Sequence, residues 1–381
     1  MKYLHRTWAE INLDALVHNF KLIRSMTDAK IFSVIKANAY GHSVDIVAPA
    51  LDEAGTDYFA VSNLDEAKEL RALGINKPIL ILGYTPTTRA KELSELDLIQ
   101  TVFSYDFAQK LNQNAAESGV SVKTHIKLDT GMGRIGFDFR NDGFNELVEA
   151  RRLIYLKNLN FEGVFTHFPV ADGISEPDKQ YTKAEFERFV TAVKYLEENG
   201  FNFKLKHCCN SAAFLSFSNM HLDAVRPGII LYGLTPSTNL EISKEFKPVM
   251  SFKSVVSQVK TVSAGETVSY GKTYTFEKNT RVATVTAGYA DGVLRLLSNK
   301  GRVLINGKYA KIVGRICMDQ FCVDVTDIEN VKEGDTVTLF GEGLPVEEFA
   351  EHADTINYEV VCSLSKRVPR IYIKNGQEYR F

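Results

Sequence analysis

At 381 residues the chain is long for one average domain, and two domains are expected. Apolar residues make up 45% and charged residues 24%, and 45 basic against 47 acidic side chains leave a net charge of −2, the balance of an ordinary soluble globular protein with no footing for a nucleic-acid or membrane-surface partner. Five cysteines (Cys208, Cys209, Cys317, Cys322, Cys362) with no zinc-ribbon spacing read as reduced thiols, no metal centre is expected, and the absence of a signal-peptide core or a membrane-length apolar run predicts a cytoplasmic protein.

The first 235 residues alternate short apolar runs with helix-patterned segments. Eight candidate strands follow in order: Ile31–Lys36, Asp57–Val61, Pro78–Leu82, Leu98–Phe103, Val122–Leu128, Phe161–His167, Lys204–Cys208 and Asp223–Arg226. Helical patterns lie between most of them, as in Asn63–Leu73 and Ala184–Glu198. Strands alternating with helices imply parallel pairing through right-handed crossovers, and eight of them predict an α/β fold, a closed (β/α)8 TIM barrel, with an open doubly wound sheet as the alternative. After Ser237 the pattern changes. The polar stretch Thr238–Pro248 reads as a linker, and strand patterns then dominate: Ser254–Val262, Arg281–Ala287, Arg302–Ile305, Tyr309–Val313, Phe321–Val325 and Thr336–Phe340, with one short helix at Val346–Ala353. Asn306-Gly307 and Asn375-Gly376 sit between strand-like runs, where tight hairpins need positive φ. The expected domains are a barrel over 1–237 and a C-terminal, mostly-β domain over 238–381.

Active sites of such barrels lie at the C-terminal ends of the strands. There this chain places Lys36, Lys127 with Arg134 shortly after it, His167, His207 and Arg226. A rim so rich in Lys, His and Arg suits an anionic cofactor or substrate. Lys36, inside Val34–His42, is either an ion-paired rim residue or a Schiff-base lysine; partial burial would make its amine nucleophilic. Tyr40 and Gly41 follow closely. The loops after strands seven and eight offer the Ser211 hydroxyl and the backbone N–H groups of Gly228 and Ile229, suited to a phosphate. A lysine, a phosphate cradle and imidazole rings on one rim describe a pocket for pyridoxal phosphate (PLP).

Nine stretches, in order and over both domains, resemble the bacterial alanine racemases, PLP enzymes of fold type III: Val34–His42, Lys127–Gly136, Phe165–Phe168, His207–Ala212, Val225–Gly233, Val268–Gly271, Gly288–Gly292, Gly314–Gln320 and Arg367–Arg370. The resemblance implies a homodimer with shared active sites, in which Lys36 carries PLP and Tyr270 enters from the partner subunit as a second base. It further implies that Arg226 hydrogen-bonds the pyridine nitrogen, supported by His207, and that His167 lies against the cofactor ring. Tyr40, Ser211, Gly228 and Ile229 would bind the phosphate. Arg134 would contact the phenolic oxygen and the substrate carboxylate, Met318 would offer its N–H to that carboxylate, and Tyr289 would narrow the entrance. Lys127 falls where the family often carries a carbamylated lysine. One position departs: the family's phosphate-contacting tyrosine before Arg367 is replaced by Lys366 here.

The implied reaction interconverts L- and D-alanine and supplies D-alanine for peptidoglycan. Removing the Cα proton on one face and returning it on the other calls for two bases, and a tyrosine can serve as one only where positive charge favours the phenolate. Arginine cannot give up its proton, so Arg226 can donate to the pyridine nitrogen without protonating it. Three other readings compete. A decarboxylase of the same fold would need an acidic residue at Arg226. A broad-specificity or serine racemase differs by one hydroxyl in its substrate, which apolar pockets reject only modestly. A PLP carrier would have no use for the domain bearing Tyr270.

Overall fold

The computed structural model describes residues 5–140 and 144–379. The chain divides into two units. Among the described residues, one holds those of 17–39 and 44–246; the other holds 5–16, 40–43 and 247–379.

The first strand, β1 (Thr7–Asn12), belongs to the second unit. The first unit is built on β2 (Lys30–Val34), β3 (Tyr58–Val61), β4 (Ile79–Ile81), β5 (Leu98–Val102), β6 (Val122–Asp129), the two-residue β7 (Phe137–Asp138), β8 (Leu159–Phe165), β9 (Leu205–His207) and β10 (Ala224–Val225). All pair in parallel, in the order β5-β4-β3-β2-β10-β9-β8-β6, and β5 also pairs with β6. That last pairing closes the sheet, so the eight strands form the barrel expected from the alternation, and no edge is left to cover. The strands read as continuous apolar runs because both faces are covered; Phe59, Ala60, Val61, Ile79, Leu80 and Ile81 are all fully buried.

The helices carry the signals that end and start them. Asn63 caps Leu64–Ala72 by accepting the Glu66 N–H, and Ser175 caps the 23-residue helix Glu176–Glu198 by accepting that of Asp178. The latter starts eight residues before the helix-patterned stretch Ala184–Glu198, because its first two turns carry the polar face.

The second unit is a nine-stranded sheet of β1, β11 (Met250–Val262), β14 (Thr280–Val285), β15 (Arg302–Ile305), β16 (Lys308–Val313), β17 (Phe321–Asp324), β18 (Thr336–Phe340), β19 (Arg370–Lys374) and β20 (Gln377–Tyr379), with a separate ribbon of β12 (Thr267–Val268) and β13 (Tyr274–Thr275). Its pairs are antiparallel except β1 with β19. Val262, Phe276, Val282 and Val313 form a packed cluster under the ribbon, with Val268 and Tyr274 against it. Two elements differ from the sequence reading. β1 had no assigned role, because its partner β11 lies some 240 residues away. Asn357–Ser363 is a second helix; its β-branched Val360 and Val361 are both fully buried, so tertiary packing overrides local propensity.

Candidate active site

β2 stops at Val34, two residues short of the expected Lys36, and the lysine instead opens a turn. In that turn Ala37, Asn38, Ala39 and Tyr40 all have φ between 52° and 54°. Left-handed backbone costs a non-glycine residue roughly 1–2 kcal/mol, so four in a row need anchoring. Glu66 supplies it: one carboxylate oxygen accepts from the Ala37 N–H at 2.7 Å and the other from the Ser62 N–H at 2.7 Å. The Asn38 side chain accepts from Val44 N–H at 2.8 Å, and Ala39 N–H donates to the Ile35 carbonyl at 2.9 Å. Lys36 is thereby held half-buried at the barrel rim. Tyr40 is buried and clusters with the β unit, its ring centroid 6.1 Å from that of Tyr358.

Arg226 is buried after β10. Its guanidinium meets His207 Nδ1 at 2.7 Å and donates to the carbonyls of Thr166 (2.7 Å) and Cys208 (3.0 Å), with His167 Nδ1 at 3.5 Å. No carboxylate bonds it among the described residues, so every partner is neutral. Burial pushes its pKa down to about 10. Desolvation, and then the Arg226 charge, hold His167 and His207 well below the usual imidazole range. His207 lies between Phe165 and Phe32, both with centroids at 4.9 Å. Its Nε2 is 3.0 Å from Nδ1 of His125, a residue the sequence reading passed over.

Lys127 is buried on β6, its Nζ donating to the Leu128 carbonyl at 2.7 Å and lying 5.5 Å from the Phe165 ring centroid. Desolvation lowers its pKa to about 7. Asp129 then shapes the loop, one oxygen accepting from the N–H groups of Gly131 (3.1 Å) and Gly133 (3.0 Å). The helix Glu176–Glu198 grips the same loop, with Tyr181 Oη donating to the Gly131 carbonyl at 3.0 Å and Arg188 Nε to the Thr130 carbonyl at 2.9 Å. Between those two grips on the helix, Glu185 is fully buried, and neither of its oxygens has a hydrogen-bond partner. Burial raises its pKa to about 8. Arg134, at the end of the loop, is exposed.

On the next loops, Asn210 caps Ser211–Ser216, and the buried Ser211 Oγ accepts from Gly228 N–H at 2.9 Å. Ile229 follows and opens the buried turn Ile229–Tyr232. The expected phosphate-site residues Ser211, Gly228 and Ile229 therefore do come together.

In the β unit, two turns converge on Arg315–Met318. Ser269 Oγ donates to the Arg315 carbonyl at 2.5 Å, Tyr289 N–H to that of Cys317 at 3.0 Å, and Ala290 N–H to that of Met318 at 3.1 Å. Gly288 permits the approach, since a Cβ there would collide with the Met318 carbonyl. The outcome is a group of large side chains left in the open: Tyr270 is 71% exposed, Met318 52% and Tyr289 45%.

Arg226, Arg134 and Lys36, and Lys127 in its protonated form, act together on His167. Such an excess on a barrel rim fits an anionic guest, and no group of acidic, histidine or cysteine side chains among the described residues could hold a metal ion. The alanine racemase N-terminal domain family matches residues 11–236, and the alanine racemase C-terminal domain family matches residues 249–372. The chain belongs to the alanine racemase family. It is 48% identical to the alanine racemase of Desulforamulus reducens, over 96% of this chain and 98% of that one. It is 44% identical to alanine racemase 2 of Caldanaerobacter subterraneus subsp. tengcongensis, over 98% and 96%. Among solved structures, the alanine racemase of Clostridium difficile superposes with a TM-score of 0.92 at 40% identity, covering 100% of this chain and 98% of that one. The Bacillus anthracis alanine racemase with bound L-Ala-P gives 0.91 at 37%, covering 100% and 98%.

Three residues that support the candidate site residues escaped the sequence reading, and each left a signal. Glu66 stands three after the helix-capping Asn63, the capping-box spacing. His125 lies two before Lys127, on the same face of the strand. Glu185 interrupts the otherwise apolar stripe Phe189, Ala192, Val193 and Leu196.

Proposed function

We propose that the chain is a PLP-dependent racemase that interconverts L- and D-alanine, acting in the cytoplasm as a homodimer and supplying D-alanine for peptidoglycan. The observation that carries the reading is Arg226, a buried guanidinium held by neutral partners alone. An arginine at that place favours a racemase over a decarboxylase, because it can hold a pyridine nitrogen without protonating it.

When bound, pyridoxal phosphate supplies an aldehyde that condenses with amino groups and a ring that draws electrons from the substrate Cα. The chain supplies the rest. Lys36 holds the cofactor, and Tyr40, Ser211, Gly228 and Ile229 bind its phosphate. His167 would lie against the ring, and His207 supports Arg226. Arg134 and the Met318 N–H bind the substrate carboxylate, and Tyr289 narrows the entrance. Lys36 Nζ exchanges the Cα proton on the face that gives D-alanine, and Tyr270 Oη of the partner subunit does so on the opposite face. Two bases, one per face, are what inversion requires. The strong exposure of Tyr270, Met318 and Tyr289 supports a shared site, since large apolar side chains grouped in the open mark an interaction surface. Lys127 adds CO2 to its neutral amine, losing a proton, and the resulting carbamate orients Arg134. Its lowered pKa supports this.

The test is the visible spectrum of the purified protein together with alanine turnover in wild type, Lys36→Ala and Tyr270→Phe. The reading predicts that wild type shows lysine-bound pyridoxal absorbance and racemises alanine, that Lys36→Ala loses both, and that Tyr270→Phe keeps the absorbance and loses turnover. A wild type that binds PLP and racemises serine but not alanine would move the substrate; one that racemises nothing would sink the proposal.

A further inference from the structure

We infer that His125 is a positioning residue, which fixes the tautomer of His207 and through it the aim of Arg226. The argument is one of donors and acceptors. A guanidinium only donates, so at 2.7 Å from Arg226 the Nδ1 of His207 must present a lone pair. A second proton on His207 would set N–H against N–H. Its single proton is therefore on Nε2, which points at His125 Nδ1 at 3.0 Å. That atom must accept in turn, and the His125 proton lies on its own Nε2, a buried atom with no hydrogen-bond partner among the described residues, which is the cost of the arrangement. The arginine thus dictates both tautomers, and His125 is the acceptor that lets His207 keep the required one. Phe165 and Phe32 fix the plane of the His207 ring; the two hydrogen bonds fix which edge faces Arg226.

The strands are arranged to allow this. His125 is on β6 and His207 on β9, with β8 between them in the sheet. The residue of β8 paired with His125 is Gly163, and a Cβ there would lie 2.6 Å from the imidazole. Gly163 therefore clears the path by which His125 reaches past β8. A carboxylate in place of the two imidazoles would orient the arginine equally well but would cancel its charge. The neutral relay orients Arg226 and leaves the charge whole.

The catalytic consequence rests on the racemase reading, but the relay is a property of the chain and is measured separately. Protein labelled with 15N-histidine, as purified, is examined by long-range 15N–1H correlation in wild type, His125→Phe, His125→Asn and Gly163→Ala. Phe fills the ring volume with no acceptor; Asn returns an oxygen near the Nδ1 position. We expect His207 in wild type to be neutral and protonated at Nε2 only. That signature should be lost in His125→Phe and Gly163→Ala and retained in His125→Asn. Turnover should follow, with kcat falling about 10- to 100-fold in His125→Phe, the scale of supporting-residue losses at other sites, KM changing less, and His125→Asn recovering most of it. A His207 protonated at Nδ1 in wild type would overturn the inference, as would a His125→Phe protein with unchanged His207 resonances and kcat. Should His125→Phe not fold, wild type and His125→Asn still decide the tautomer. A wild type with the expected tautomers and no alanine turnover would refute the racemase reading and leave the relay standing.

Discussion

The buried carboxyl of Glu185 lies against the backbone of Gly131, so close that any Cβ at 131 would collide with it. This contact presses the helix Glu176–Glu198 onto the loop leading from Asp129 to Arg134. Burial raises Glu185 from an ordinary 4.5 to about 8. The folded protein therefore holds a proton that the unfolded chain releases, and stability falls as pH rises from about 4.5 toward 8. Glu185→Gln keeps the shape and removes the ionisation. Thermal melts should place its Tm several degrees above wild type at pH 8, with the two converging near pH 5. Equal melting at both pH values would mean that the carboxyl is ionised and paired.

Lys127 titrates in the opposite sense. With its pKa lowered from 10.5 to about 7, the folded state gives up a proton that the unfolded chain keeps. The associated cost is greatest below pH 7 and is relieved as pH rises from there to about 10.5. An amine half-neutral at pH 7 can add CO2. Wild type in 13C-bicarbonate at pH 8 should show a carbamate resonance that fades below pH 7 and is missing from Lys127→Ala, and bicarbonate should raise turnover. No resonance at any pH would leave Lys127 a plain amine.

Glu66 holds two backbone N–H groups at once, at Ala37 and Ser62. A glutamine there keeps one acceptor and turns an N–H toward the other donor. Glu66→Gln should destabilise the protein by about 0.5–1.5 kcal/mol, the net worth of one hydrogen bond, measured by urea denaturation. Loosening the left-handed turn also displaces Lys36, so kcat should fall several-fold. Unchanged stability would show that the turn is held by Asn38 and Ile35 alone.

Gly288→Ala tests the exposed group on the β unit. The new methyl would meet the Met318 and Cys317 carbonyls, which are backbone and cannot swing aside. The Met318 loop should shift, with turnover falling at least tenfold while the pyridoxal absorbance, a property of the barrel residues, stays. Loss of absorbance as well would place the damage in the barrel instead.

Much of this was legible in one dimension. The eight barrel strands fell within a few residues of their observed bounds, because strands buried on both faces are continuous apolar runs that periodicity detects. The common placement of Lys36, His167, His207 and Arg226 on one rim was legible because barrel strand ends gather there, and charged residues at those ends break the apolar runs. The misses have a common cause. β1 and Asn357–Ser363 depend on partners distant in sequence, His125 and Glu185 look like surface residues until burial is known, and Glu66 does until its backbone partners are.

The sequence by itself determined the order of the eight barrel strands, the passage from a barrel to a sheet-rich second part, and which residue types reach the rim. It determined the family as well, through nine motifs in order. Only the tertiary structure decided the protonation chemistry. Arg226 has neutral partners because the ends of β8 and β9 set His207 and the Thr166 and Cys208 carbonyls around it, and Lys127 and Glu185 have shifted pKa values because packing removed their water. Charge state depends on desolvation and on neighbours across space, and neither is a property of adjacent letters.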